Sequence, residues 1–178
     1  MMKATRLADD VSVLRQILPP LPEPVANPAL IFVSGLPGTG KSYFCRKLAE
    51  RIELVILESD SLRKRLFPAP SYSKEESIQL FRACHGLVEE LLGKSISVAL
   101  DATNLEEHNR EQLYHIADQS GARLVIVRME APPEVVQQRL ERTGTERGSG
   151  GPFRGGLERL QQDEAVGGED RPQSLRGR

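Results

Sequence analysis

No apolar run in this 178-residue chain approaches the ~18 residues of a membrane span. Its first residues, MMKATRLADDVSVLRQ, hold no apolar stretch of signal-peptide type. Net charge is −1, so no broad attraction to nucleic acid or anionic membrane is implied, although a small basic groove is compatible with it. Only two cysteines are present, Cys45 and Cys84. They do not form a metal-ligand spacing, and reduced, structural thiols in a cytoplasmic protein are expected. The three histidines, at 85, 108 and 115, share no spacing and mark neither a metal site nor a catalytic base. There is no internal repeat, no N-K-x-D guanine-reading motif and no L-S-G-G-Q signature. The length suits one domain with a real core, and is short for an oligomeric motor ATPase.

What is present is LIFVSGLPGTGKSYF, residues 30–44. A strand-like run, Leu30 to Ser34, passes directly into a glycine-rich loop. Gly35, Gly40, Lys41 and Ser42 fit G-x-x-x-x-G-K-[ST], the P-loop pattern, with Leu36, Pro37, Gly38 and Thr39 between them. Glycine lets the backbone turn tightly and aim successive N–H groups inward. Together with the N-terminus of the next helix they make an anion site. Lys41 would reach the β- and γ-phosphates of a nucleotide, and the Ser42 hydroxyl would bind Mg²⁺. The rival is a plain glycine-rich βα turn. The strand before the loop, and the helical spacing of Cys45, Leu48, Ala49 and Ile52 after it, favour the phosphate site.

Periodicity organises the remainder. Residues 5–18 read as a short amphipathic helix with Leu7, Val11, Leu14 and Leu18 on one side, followed by a stiff connector, PPLPEPVANP. Strands are expected at about 30–34, 53–57, 95–100 and 123–129. Helices are expected at about 41–51, 74–92, 106–119 and from Pro133 to near Arg142. The long helix opens with a capping-box pair, Ser73 and Glu76, and carries an apolar stripe of Ile78, Phe81, Cys84, Val88 and Leu91. Strands alternating with helices give an α/β fold with a parallel sheet. Three segments follow: 1–28 as helix and connector, 29–142 as core, and 143–178 as a glycine-rich stretch, a short helix at 157–166 and a polar tail. With no strand-like run after residue 129, a sheet of four strands is expected. Its last strand would have an open or loosely covered outer edge.

Strand ends are where ligands gather in such sheets. The second strand runs into ESDSLRKRLF. Asp60 there would accept a proton from a hydroxyl attacking the γ-phosphate; the rival is a helix cap formed by Asp60 or Ser59. Arg63 shares a helical face with Asp60, and would hold an anionic substrate group or orient the carboxylate. The third strand ends in VALDATN, the Walker-B form, which assigns Asp101 to the metal; the indirect alternatives are that it holds a metal-bound water or pairs with Arg63. Asn104 reads as a helix N-cap with Glu107 at N3, and Arg110 as surface charge, with facing the substrate as the lesser alternative. Arg139 and Arg142 would swing over the phosphates, as arginine fingers do, or form a solvated face with Glu141. Arg147 and Arg154 are looser candidates.

GLPGTGKS, SDSLRKRL, LDATN and APPEVVQQRLERT together resemble a group of small P-loop kinases. The group includes the kinase domain of polynucleotide kinases, the zeta-toxin kinases and many bacterial predicted kinases. The likeness covers about residues 29–142. It implies the P-loop NTPase three-layer fold, with a parallel sheet ordered 2-3-1-4-5 and helices on both faces. It implies ATP and Mg²⁺, with residues 35–42 around the phosphates and Ser42 and Asp101 at the metal. It also implies Lys41 on the phosphates, Asp60 as general base, Arg63 beside the substrate, and Arg139 and Arg142 on a lid. The expected activity is phosphoryl transfer to a hydroxyl of a small molecule or nucleotide. An ATPase without an acceptor, and a shortened nucleotide-binding remnant, are the alternatives. The chain departs from the group in its glycine-rich lid region and in stopping where relatives add a fifth strand.

Overall fold

The structure, a computed structural model, describes residues 2–103 and 107–146, with side chains over 6–103 and 110–141. The expected Asn104 cap, the glycine-rich segment beyond residue 146, the 157–166 helix, Arg147 and Arg154 lie outside these residues; residues 143–146, expected as the start of the glycine-rich segment, continue the preceding helix. Ten elements follow in order: α1 (Met2–Arg15), β1 (Ala29–Ser34), α2 (Lys41–Ala49), β2 (Val55–Glu58), α3 (Ser59–Leu66), α4 (Lys74–Gly93), β3 (Val98–Asp101), α5 (Glu107–Gln119), β4 (Arg123–Arg128) and α6 (Pro133–Glu146). The chain divides at Ala131/Pro132. The first unit holds the sheet; α6 belongs to the second.

The four strands are parallel and ordered β2-β3-β1-β4. Register brings the functional ends level: Val33 lies opposite Asp101, which lies opposite Glu58 on its other side. The chain therefore leaves β1, β2 and β3 at one edge, about 5 Å apart from strand to strand.

Alternation splits the core into two layers. Leu30 and Phe32 of β1, with Val98 and Leu100 of β3, face one side, where Leu14, Leu80, Leu87, Leu91 and Leu113 close over them. Ile31, Val33 and Ala99 face the other, against Cys45 and the partly buried Phe44 and Leu48 of α2. Both cysteines are free, and burial pushes each thiol up to about 12, which keeps them inert. The N-terminal helix belongs to this core: Leu14 is fully buried, Val11 nearly so, and Arg15 grips Glu90 of α4 (2.9 Å from Nε). Gly86 permits the approach, since a Cβ there would stand 3.0 Å from Val11 Cγ2.

Two local expectations shift, and the helix ends take a form of their own. The buried face of α4 is Leu80, Ala83, Cys84, Leu87, Val88, Leu91 and Leu92, and Ile78 is exposed, because the helices packed on α4 centre its buried arc on Leu80, Cys84, Leu87 and Leu91 and Ile78 falls beyond the edge of that arc. Ile52 lies beyond the end of α2 and is exposed. The left-handed residue closing α4 is Ser95 (φ 60), whose N–H reaches Leu92 O while Ile96 N–H reaches Leu91 O, a Schellman closure. The equivalent residue after α5 is Gly121, whose lack of a Cβ suits that conformation. At the other edge, Ile126 of β4 is half exposed, and among the described residues β4 pairs only with β1.

Candidate active site

The loop between β1 and α2 is built from three left-handed glycines, Gly35 (φ 146), Gly38 (φ 81) and Gly40 (φ 103). At Gly35 a side chain is barred twice: by the backbone angle, and by Met129 O, which would lie 2.4 Å from a Cβ. The loop folds around one carbonyl. Leu36 O accepts from Thr39 N (3.3 Å), Thr39 Oγ1 (2.8 Å) and Lys41 Nζ (3.1 Å). Gly40 caps α2 with no side-chain bond, so the first-turn amides keep the partial positive charge that suits an anion.

Lys41, Ser42 and Asp101 converge where this loop meets the end of β3. Ser42 Oγ donates to Asp101 Oδ2 at 2.6 Å. Lys41 and Asp101 are both buried. Burial pushes the Lys41 ammonium below the usual lysine range, against the attraction of Asp101 and Asp60. Burial likewise pushes the Asp101 carboxyl up, with Asp60 adding to the rise and the Ser42 bond and Lys41 charge opposing it. Each charge therefore sits where its environment under-supports it. Asp60 stands in the first turn of α3, exposed, close enough for its charge to act on both. The capping alternative for Asp60 or Ser59 is not what forms: the N-cap is Glu58, without a side-chain cap bond.

Arg63 follows a different course from the pairing with Asp60 or Asp101 considered from sequence. It is buried, and its partners are Glu76 (Nη1 to Oε2, 3.5 Å), Ser77 (Nη2 to Oγ, 3.1 Å) and the Tyr72 ring, 5.0 Å below its guanidinium. Tyr72 holds φ 56, a left-handed conformation that costs a non-glycine residue ~1–2 kcal/mol. Neither Tyr72 nor Ser77 carries a sequence signal, and Glu76 is legible only as half of a capping box. Arg46, also unmarked in the sequence, reaches toward Glu58 at 3.9 Å. Arg139 and Arg142 lie three apart on α6, in the second unit, with Arg139 exposed and the Arg142 side chain outside the described residues.

The donor set fits a nucleotide phosphate with Mg²⁺. Mg²⁺ takes one or two protein oxygens and completes its shell with phosphate and water. Ser42 Oγ and Asp101 supply that number. Among the described residues no group of three or more histidine, cysteine or acidic side chains forms an all-protein cage. Nor is any helix among them long and apolar enough to cross a membrane.

The chain is similar to several known proteins. L-seryl-tRNA(Sec) kinase of Methanococcus maripaludis is 34% identical over 115 residues, 62% of this chain and 44% of that protein. The chain spans less than half the length of the curated relatives it matches. Among solved structures, a chain of the Pnkp1/Rnl/Hen1 RNA repair complex superposes with a TM-score of 0.62 at 22% identity, covering 79% of this chain and 46% of the other. A chain of the PezAT toxin–antitoxin system of Streptococcus pneumoniae gives 0.64 at 14%, covering 78% and 62%. Both show the fold. A family model described as an AAA domain matches residues 30–164. The chain belongs to this AAA-domain family, which spans most of its length.

Proposed function

We propose that the chain transfers the γ-phosphate of ATP to a hydroxyl of a small molecule or nucleotide. The observation that carries this reading is the convergence of Lys41, Ser42 and Asp101, with Asp60 in electrostatic reach of two of them. Loop residues 35–42 would cradle the phosphates with their N–H groups, and Lys41 would contact the β- and γ-phosphates. Ser42 and Asp101 would hold Mg²⁺, which when bound neutralises charge on the phosphoryl group. A polyanion beside the depressed Lys41 and a divalent cation beside the raised Asp101 would favour the charged form of each.

Asp60, exposed at the open side of the sheet ends, would take the proton of the acceptor hydroxyl. The acceptor oxygen then bonds to the γ-phosphorus as the bond to the bridging oxygen breaks, and ADP leaves. Arg63 belongs to the acceptor side, one helical turn along α3. Arg139 and Arg142 would take the part of the lid arginines that the resemblance implies. The kinase relative supports a hydroxyl acceptor, since the seryl group in its name carries one.

The test is ATP consumption by the purified chain with Mg²⁺, with and without a panel of sugars, nucleosides and amino-alcohols. Stimulation by one class, lost in Asp60→Asn, supports the reading. Hydrolysis that no acceptor stimulates points to an ATPase, and no turnover at all to a binding protein.

A further inference from the structure

Glu76 gathers donors well beyond those a helix cap needs. Its Oε1 accepts from Ser71 N (2.8 Å) and Ser71 Oγ (2.7 Å), and its Oε2 accepts from Tyr72 N (2.9 Å) and faces Arg63 at 3.5 Å. Its own N–H donates to Ser73 Oγ at 3.2 Å, which is the one half of the capping box that forms. The Ser71 N–H and hydroxyl hold the Glu76 carboxyl below its usual range, so it stays a charged acceptor. The Tyr72 N–H bond ties down a residue in a backbone conformation that tyrosine rarely takes. That conformation lays the Tyr72 ring over the Arg63 guanidinium. Ser77 holds the guanidinium at another edge. A long, flexible side chain is thus restrained on three sides, on the same helix as Asp60 and one turn from it.

We propose that Glu76 and Tyr72 are positioning residues for the acceptor side: Glu76 clamps the Ser71–Tyr72 turn, the turn sets the ring over Arg63, and the guanidinium is held in one orientation a helical turn from Asp60. The role rests on the phosphotransfer reading. The bonds and the ring contact that these two residues make lead to Ser71, Ser73 and Arg63. Their loss should therefore act on the acceptor and spare ATP, a split that general destabilisation does not produce.

The experiment combines hydrogen exchange with steady-state kinetics on the full chain, using the best acceptor from the panel. In Glu76→Ala, the Ser71 and Tyr72 amides should exchange at least about tenfold faster, the loss expected for a charge-assisted hydrogen bond. The Leu87 and Val88 amides in the middle of α4 should keep their native rates, showing that the fold is intact. The acceptor kcat/KM should fall at least about tenfold, with the KM for ATP within about twofold of native. Tyr72→Leu should give the same kinetic split while Ser71 stays protected, and Tyr72→Phe should behave as native because the ring is kept. Native protection of Ser71 and Tyr72 in Glu76→Ala overturns the clamp. Equal losses for ATP and acceptor, or Tyr72→Phe as damaged as Tyr72→Leu, overturn the positioning role. A native chain that phosphorylates no acceptor sinks the phosphotransfer reading and the role with it. A native chain that turns over, beside a Glu76→Ala variant of native kcat/KM, sinks the role alone.

Discussion

Lys41→Met distinguishes a residue held for a ligand from one held for the fold. Lys41 is 7% exposed, and its Nζ donates to Leu36 O at 3.1 Å. Burial lowers its pKa by more than Asp101 and Asp60 raise it. A lysine whose folded-state pKa lies below its unfolded value costs stability while it is protonated. The cost fades as pH rises from the folded value toward the unfolded ~10.4. Methionine is unbranched and apolar and fills similar space without the charge. Against that gain stands one donor lost from the Leu36 carbonyl, about 1 kcal/mol, although Thr39 still serves it. The gain opposes the loss, so the loss cannot exceed the worth of that one donor and the Tm should fall by no more than about 4 °C. An ordinary buried side chain removed from a core costs ~2–5 kcal/mol, or roughly 4–20 °C at this chain length. Nucleotide affinity should respond far more. Charge-assisted bonds to two phosphates, at ~1.5–3 kcal/mol each, predict a Kd for ATP raised at least about 100-fold. Scanning calorimetry and titration calorimetry on the same preparation measure both. An unchanged ATP affinity, or a Tm lowered by about 10 °C or more, refutes the reasoning.

Asp60→Asn should leave ATP binding intact and lower phosphotransfer by about 10²–10⁴-fold, the usual worth of a positioned base; wild-type turnover in this variant would remove Asp60 from the chemistry. Gly35→Ala must displace the Met129 carbonyl and adopt φ 146, so it should lose ~1–3 kcal/mol of stability and weaken ATP binding. Native melting and native affinity in this variant would contradict the loop geometry. Glu90, bonded by Arg15 foremost and by Lys94, has a carboxyl held below its usual range. Such a group contributes stability above its unfolded value of ~4.3, and loses it as pH falls through the folded value. Glu90→Gln should therefore melt lower than native at pH 7, and the gap should close as pH falls below about 4. A gap constant with pH would show that the Arg15–Glu90 pairing is not its source.

Much of this molecule is local in the chain. A run such as Leu30–Val33 can only be a buried strand, and the spacing of Gly35, Gly40, Lys41 and Ser42 follows from what a backbone must do to surround a phosphate. The ends of α4 and α5 were legible to within a residue or two for the same reason, since caps and left-handed closures are built from neighbours. The order of the strands came from the family likeness rather than from periodicity, which does not say which strand lies beside which. The face of α4 was misread at Ile78 because the neighbours that pack on this helix turn its buried arc toward Leu80 and Leu87, and a stripe read from spacing alone does not say which way the helix is turned.

What the sequence determined by itself is thus the phosphate loop, the carboxylate ending β3, and the alternation that makes the sheet parallel, all set by contacts between residues a few positions apart. Tertiary structure alone decided that Ser42 meets Asp101 across 59 positions, because parallel register and not proximity in the chain levels β1 with β3. It alone decided that α1 enters the core, through Leu14 and the narrow passage at Gly86. It also decided that Arg63 turns to Glu76, Ser77 and Tyr72: a buried guanidinium takes whatever acceptors and ring faces the packing of α3 on α4 brings to it, and no local pattern encodes which those are.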